Sequence, residues 1–376
     1  MESSRSLRLR YVVIGVAAGI FNSHRRGLAS PIVEIVAVSD IDAERGQQRA
    51  DEIGCPFYTD YRQLLAGVRP DVAVILTPHP LHARIAIDCL RAGCHVLVEK
   101  PIAIQVAEAD AMIAAARECG RLLGVVFQHR FRPDVRMAHR LLQAGRLGAI
   151  ERVELTAVWT RPASYFHQAP WRATWAGEGG GIAMNQAMHN MDILCYLVGM
   201  PQRVYGWTRR LLHQIEVEDT IQAMLEWPGG ALGTLHISTA EADVPERLKI
   251  VGTRGRLELC GGQLTFRELD QDIREYAATN PEPYGKLPSH EVALEEVALE
   301  LENGAADHSA VYSNFHDAIL HGSPLMVDGE QGRMSLELAN AIIYSHFTHS
   351  EVELPLDRQS YAALLERLQR SSSFRG

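Results

Sequence analysis

The sequence predicts an α/β chain: an N-terminal Rossmann-type, doubly wound parallel sheet, then a C-terminal α+β domain with a large, mostly antiparallel sheet. Three observations predict it. From residue 9 to about 128, short Val- and Ile-rich runs alternate with helical stretches, the rhythm of βαβ units. Those runs are apolar throughout, as strands covered on both faces require. Beyond residue 130 the rhythm changes to strands of alternating polarity joined by turns. The 376 residues exceed one ordinary core. The boundary falls at 128, giving domains 1–128 and 129–376, with the last helices free to pack back on the first domain.

In order, strands are expected at 11–15, 32–40, 71–78, 95–101 and 122–128, with helices at 42–53, 80–92 and 105–119 between them. A helix at 134–145 and a long strand at 150–160 follow. A loop rich in Arg and aromatic residues spans 161–178. Gly179–Gly181 then opens a helix to about 198. Strands are expected at 202–211, 219–227, 231–239 and 246–251, with Pro228-Gly229-Gly230 turning a hairpin. The stretch 270–290 reads as a long loop. Helices at 308–321 and 330–348, the run VELPL (352–356) and a helix near 359–369 close the chain.

A net charge of -9 argues against a nucleic-acid binder, which carries a basic stripe. The six cysteines form no CxxC pair and no zinc spacing. They read as reduced thiols of a cytoplasmic protein, and no metal is expected. The start, MESSRSLRLR then YVVIGVAAGIF, imitates the charged and apolar regions of a secretory leader. The strand ending in Asp that follows assigns these residues to the fold instead. No run approaches the roughly 18 apolar residues of a membrane span.

The first strand ends at Gly15, and Val16-Ala17-Ala18-Gly19-Ile20 follows. Small residues there let backbone N–H groups approach a pyrophosphate at a helix N-terminus. Asp40, 25 residues after Gly15, ends the second strand, where a carboxylate accepts the ribose hydroxyls of NAD and repels the 2′-phosphate of NADP. No Arg directly follows it, so NAD is favoured over NADP. The alternative is that Asp40 only caps the next helix. Thr77, Pro78, Glu99, Lys100 and Gln128 fall at the carboxyl ends of later strands, where such sheets bind ligands. His82, near a helix start, belongs with them.

Lys100 in Val98-Glu99-Lys100-Pro101 can take an alcohol proton or, protonated, stabilise an alkoxide. A solvated surface lysine is the competing reading. On the helix expected after the three glycines, Asn185 and His189 are four residues apart and share a face, with Asp192 near it. They make either a proton-handling site or a buried hydrogen-bond network. Arg161, Tyr165, Trp171, Arg172 and Trp175 cluster in one loop. Aromatic faces there suit a polyol ring or pack a seam.

Taken together, the strand ending at Asp40, TPHPLHA (77–83), AGCHVLVEKP (92–101), Trp171-Arg172, GGGIAMNQAMHNMDIL (179–194) and VEDT (217–220) resemble the glucose-fructose oxidoreductase / inositol dehydrogenase / MocA family over nearly the whole chain. The resemblance implies that Lys100 is the catalytic lysine, preceding a cis peptide bond. Asn185 and His189 complete the active site, and His189 passes the proton of the reacting hydroxyl. Trp171 and Arg172 approach the cofactor, and the large sheet pairs copies in a homodimer or homotetramer. Two departures stand out: Ala17 occupies the usual second-glycine position and Ile20 the third, and Asn185 stands where many relatives carry Asp. The expected function is hydride transfer between NAD and a sugar, cyclitol or related polyol. Two alternatives stay open: net-nonredox sugar chemistry on tightly held NAD, and an NAD-binding sensor without catalysis.

Overall fold

A computed structural model of the chain describes residues 8–294 and 307–374. Of the basic residues that begin the leader-like segment, Arg5 lies outside them, while Arg10 stands in the first strand with its N–H on Asp71.

The first strands and helices are β1 (Leu9–Ile14), α1 (Phe21–Leu28), β2 (Val33–Ser39), α2 (Ala43–Ile53), β3 (Phe57–Tyr58), α3 (Tyr61–Val68), β4 (Val72–Ile75), α4 (His82–Arg91), β5 (His95–Val98), α5 (Val106–Cys119) and β6 (Leu123–Val125). The strands pair in parallel, in the order β3-β2-β1-β4-β5-β6. Strand order reverses beside β1, which places a ligand crevice at the carboxyl ends of β1 and β4. Val12 and Val13 are fully buried in this central strand, so the apolar run after the basic start builds the sheet. Strand β3, of two residues, is too short to show a period.

Next come α6 (Pro133–Gln143), β7 (Ile150–Val158), α7 (Ala163–Phe166), α8 (Trp175–Glu178), α9 (Ala187–Val198), β8 (Arg203–Arg209), β9 (Thr220–Glu226), β10 (Leu232–Ser238), β11 (Arg247–Gly252), β12 (Gly255–Cys260), β13 (Gln263–Leu269), α10 (Ile273–Thr279), β14 (Ser289–Glu291), α11 (His308–His321), α12 (Gly329–Thr348), β15 (Val352–Glu353) and α13 (Arg358–Arg370). A nine-stranded sheet forms in the order β14-β13-β12-β11-β7-β10-β9-β8-β15. Its pairs are antiparallel except β7 with β10. The hairpin at Gly229 and Gly230 is present, both at positive φ. The expected loop at 270–290 is corrected in part: Asp272 caps α10 through the N–H of Arg274.

The described residues cluster into two units. The first holds those up to Gln128, Gly177–Gly179, and Asp307 to Leu336; the second holds the rest. In the first unit α11 lies against α1. A Cβ on Gly27 would sit 2.2 Å from the Tyr312 ring, and one on Gly124 would meet Phe315 at 2.9 Å. Burying Tyr312 and Phe315 contributes about 1.5–3 kcal/mol each, so both glycines are fixed by packing.

Candidate active site

At the carboxyl end of β1, Gly15 adopts φ +91°, and a Cβ there would lie 2.8 Å from the Leu76 carbonyl carbon. Only glycine lets the chain turn so close to β4. Asp40 reaches back over the turn: its Oδ2 accepts the Ala17 N–H at 2.8 Å and its Oδ1 the Asp42 N–H at 3.0 Å. The cap of α2 is Asp42, which accepts the Arg45 N–H. Capping therefore does not explain Asp40, whose carboxylate keeps lone pairs for further donors. The N–H groups of Gly19 and Ile20 stand at the N-terminal end of α1 without a backbone acceptor among the described residues. The buried Thr77 Oγ1 and Gln128 Oε1 also lack a hydrogen-bond partner. A close-approach glycine, a helix N-terminus, a strand-end carboxylate and orphaned polar atoms on one rim fit a dinucleotide.

Lys100 is half-buried just beyond β5, and the Lys100–Pro101 peptide bond is cis. Its backbone N–H donates to Glu99 Oε2 at 3.1 Å. Glu99 Oε1 pairs with His24 Nε2 at 2.9 Å and faces His308 Nε2 at 3.7 Å, while His24 Nδ1 lies 2.9 Å from the Tyr312 hydroxyl. Burial alone would raise the Glu99 carboxyl pKa, but His24, His308 and Lys100 hold it well below the usual range. His24, Glu99 and His308 place their ligating atoms within 4.8 Å of one another, a donor set that zinc accepts. The hydrogen bonds described already engage the carboxylate and the His24 ring. Glu99, expected among the cofactor ligands, thus turns inward and holds the backbone of Lys100. His82 does similar work: its ring nitrogens face the carbonyls of Thr77 at 2.7 Å and Pro101 at 2.8 Å. Its pKa is lowered by burial, against those two carbonyls. Pro78 leads into the helical turn His79–Leu81, and Ile20 is exposed beside α1.

In the second unit the expected helix is interrupted, which corrects one inference. The turn Ile182–Met184 is followed by Asn185 at φ -119°, ψ -86°, and α9 starts only at Ala187. Asn185 therefore does not share a helix face with His189. The cause is Glu218, later in the chain. Glu218 Oε1 accepts the N–H groups of Gly181 and Ala183, and a Cβ on Gly181 would lie 2.0 Å from the Glu218 carbonyl oxygen. Asp219 binds the next loop through the N–H groups of Leu211, Leu212 and His213. The VEDT run is thus a bracket for the glycine turn.

Asn185 instead donates its amide to the Tyr165 hydroxyl at 3.4 Å, which also accepts from Arg172 at 2.9 Å. The guanidinium carbons of Arg161 and Arg172 lie 5.2 and 4.7 Å from the Tyr165 ring centroid, and that of Arg172 is 4.9 Å from the Trp171 ring. Four of the expected residues, Arg161, Trp171, Arg172 and Asn185, therefore gather with Tyr165 in one cluster. Trp175 does not join them: it is buried and packs edge-on against Phe347, because apolar burial wins for that ring. The half-buried His189 ring stacks on His129, centroids 4.4 Å apart. Asp192 lies elsewhere, in a fully buried pair with Arg130.

A family profile described as the oxidoreductase family, NAD-binding Rossmann fold, matches residues 9–127, and one for the GFO/IDH/MocA C-terminal domain matches 135–258. The chain belongs to the Gfo/Idh/MocA oxidoreductase family. Among Gfo/Idh/MocA relatives, the trans-1,2-dihydrobenzene-1,2-diol dehydrogenase of Bos taurus is 30% identical over 257 residues, 68% of this chain and 74% of that one. The D-glucoside 3-dehydrogenase of Escherichia coli (strain K12) is 26% identical over 338 residues, 86% of this chain and 90% of that one. The crystal structure of the WlbA dehydrogenase from Bordetella pertussis, in complex with NADH and UDP-GlcNAcA, superposes with a TM-score of 0.80 at 29% identity, covering 93% of this chain and 99% of that one. This Gfo/Idh/MocA protein is an NAD(P)-dependent oxidoreductase acting on CH–OH groups, with an NAD-binding Rossmann domain. No helix among its described residues is long and apolar enough to cross a membrane.

Three residues escape the sequence reading. Arg45 donates to the Ala17 carbonyl at 2.6 Å, five positions after Asp40 and so beyond a search of its immediate neighbours. His129, directly after Gln128, supports the His189 ring. His24 is linked to Glu99 only through the fold.

Proposed function

We propose that the chain interconverts a secondary alcohol and its ketone on a sugar, cyclitol or related polyol, with NAD as redox partner and Lys100 and His189 handling the hydroxyl proton. The observation that carries the reading is the fixing of the Lys100 backbone at the end of β5 by Glu99 and of Pro101 by His82, beyond a rim that fits a dinucleotide. Bound nicotinamide supplies the hydride acceptor or donor. The Lys100 amine takes the hydroxyl proton when neutral and stabilises the developing alkoxide when charged. His189 passes that proton onward, its ring steadied by His129. Asn185 has no basic form and orients a hydroxyl, as do Tyr165, Arg161 and Arg172. Trp171 and Arg172 contribute to holding the cofactor. Asp40 favours NAD over NADP.

Relatives named for a diol, a glucoside and a sugar nucleotide support the substrate class. The outward rows Tyr205–Met224–Thr234 and Trp207–Gln222–His236 cross β8, β9 and β10, with Trp207, Met224 and Leu232 exposed. That face supports a homodimer or homotetramer. The test is a panel of inositols, aldoses, uronates and dihydrodiols, followed by NADH absorbance, with Lys100→Met beside the parent. Turnover that disappears in the variant while NAD still binds supports the reading. Tight NAD binding without turnover on any of the panel overturns it.

A further inference from the structure

A cavity of about 480 Å³ opens within the second unit, well inside the size range of small-molecule sites. Its floor is a cross-strand row, Leu155 on β7, Leu248 on β11 and Leu259 on β12, each paired in register with the next. Val135 of α6 and Ile193 of α9 face this row, and Trp159 adds an aromatic wall. The polar wall is small and directional. Glu246 accepts the Asn190 amide at 3.2 Å and the Trp159 indole N–H. Asn190 is 7% exposed, and its Oδ1 has no hydrogen-bond partner. A buried amide oxygen without a donor costs about 1–3 kcal/mol, so a donor brought by a ligand is favoured there. Burial pushes the Glu246 carboxyl upward, with Asn190 and Arg132 opposing. The wall thus offers acceptors to hydroxyl groups above an apolar floor. A pyranose ring matches both, with C–H faces for the leucines and the indole and hydroxyls for the acceptors.

Two lining residues of the cavity lie close in sequence to the proposed proton carrier and the ring that supports it. Asn190 directly follows His189, and Arg132 in the wall lies three residues beyond His129, the ring on which His189 stacks. The loop that carries Tyr165 and Arg172 leaves β7 beside Trp159 and is tied to the connection between β10 and β11, which holds Glu246, through Thr160 Oγ1 and the Glu241 carbonyl.

We propose that this cavity is a subsite for a second hydroxylated ring, so that the enzyme prefers glycosides, with the attached sugar seated over Leu155, Leu248 and Leu259 and bonded to Asn190 Oδ1 and Glu246. The inference rests on the alcohol-oxidising reading above. It is tested by comparing kcat/KM, with NAD, for glucose, galactose, mannose and xylose against disaccharides carrying each sugar at the non-reducing end. Wild type, Asn190→Leu and Trp159→Phe are compared after thermal melts confirm folding. The expected result is a disaccharide preference of at least about tenfold that collapses in Asn190→Leu, through KM of the disaccharide. Equal losses on both substrate types, or no preference in wild type, overturn it. Should none of these sugars turn over, calorimetric titration of cellobiose and maltose decides the cavity separately. Binding weakened by Asn190→Leu sustains the subsite while the catalytic reading fails, and absence of binding overturns the subsite.

Discussion

His24 Nε2 lies 2.9 Å from Glu99 Oε1, with both side chains buried. The pair draws together the first helix, the end of β5 and, through Tyr312, a helix that arrives some 200 residues later in the sequence. Its output is the position of the Lys100 backbone, since the second carboxylate oxygen accepts that N–H. A buried charge so placed is costly to lose on one side only, because the partner stays behind without compensation.

Glu99→Gln is therefore expected to lower stability by about 3 kcal/mol at neutral pH, and the deficit should shrink in acid. The native carboxyl is held well below the usual range, so the unfolded state takes up the proton first as pH falls. The stabilisation is present above an unfolded pKa of about 4.3 and is lost below it, by about 1.4 kcal/mol per pH unit. Urea denaturation of both proteins between pH 7 and pH 3.5 measures this. A gap that stays constant over that range means that the Glu99 carboxyl titrates alike in the folded and unfolded chain, and a gap that widens in acid means that it is held protonated in the folded protein.

A second prediction concerns cofactor choice. Asp40 stands at the turn with Arg45 beside it, whose guanidinium already reaches the Ala17 carbonyl. Asp40→Ser removes the repulsion toward a 2′-phosphate and leaves a cation in reach. The kcat/KM ratio of NAD over NADP should fall about 10- to 100-fold, and adding Arg45→Ala should return part of it. A ratio indifferent to Asp40 would place the ribose elsewhere.

How much of this was legible beforehand follows from which forces act locally. Val72–Ile75 and His95–Val98 announce buried parallel strands because four successive residues are apolar or nearly so, and a strand covered on both faces needs that. Asp40 was legible because the distance along one βαβ unit is fixed by the geometry of the unit. The break at Asn185 was not: GGGIAMNQAMHN carries a helical period, and the turn exists because Glu218, more than thirty residues on, takes the N–H groups of Gly181 and Ala183. The hairpin of β12 and β13 carries a local signal, since Leu257 and Leu259 alternate with charged residues and Gly261-Gly262 turns the chain. Trp175 reads as a ligand contact because it shares an aromatic, Arg-bearing loop with Tyr165 and Trp171, while Phe347, far away in sequence, is what its ring packs against.

Tyr165 gives a third prediction. Its hydroxyl accepts from Arg172 and Asn185, and its ring lies beneath two guanidinium groups, so the ring should survive substitution and the polar junction should not. Tyr165→Phe is expected to raise the substrate KM by about tenfold, as loss of a charge-assisted bond of about 1.4 kcal/mol would. The melting temperature should move little. Steady-state kinetics with the best alcohol of the panel, beside a thermal melt, separates the two effects. A large drop in stability with unchanged KM would make the cluster structural.

The last prediction tests whether the polar residues of α9 split between site and scaffold. Arg130 donates to both Asp192 oxygens, at 2.8 Å from Nε and 2.6 Å from Nη2, with its guanidinium 4.7 Å from the Tyr196 ring. Burial opposes the charge on Arg130, and Asp192 more than offsets that opposition. Asp192→Asn leaves a buried guanidinium facing a neutral amide, and Arg130→Met leaves a buried carboxylate; each should cost about 3–5 kcal/mol. Arg130→Met combined with Asp192→Leu removes both charges and should cost less than the sum of the two single changes, because neither partner is then abandoned. Chemical denaturation of the set gives the coupling. For the folded fraction, kcat should stay close to the parent in every member, since a pair that braces the scaffold touches no reacting atom. A fall in kcat of a hundredfold in well-folded Asp192→Asn would move Asp192 out of the scaffold and into the proton path with His189.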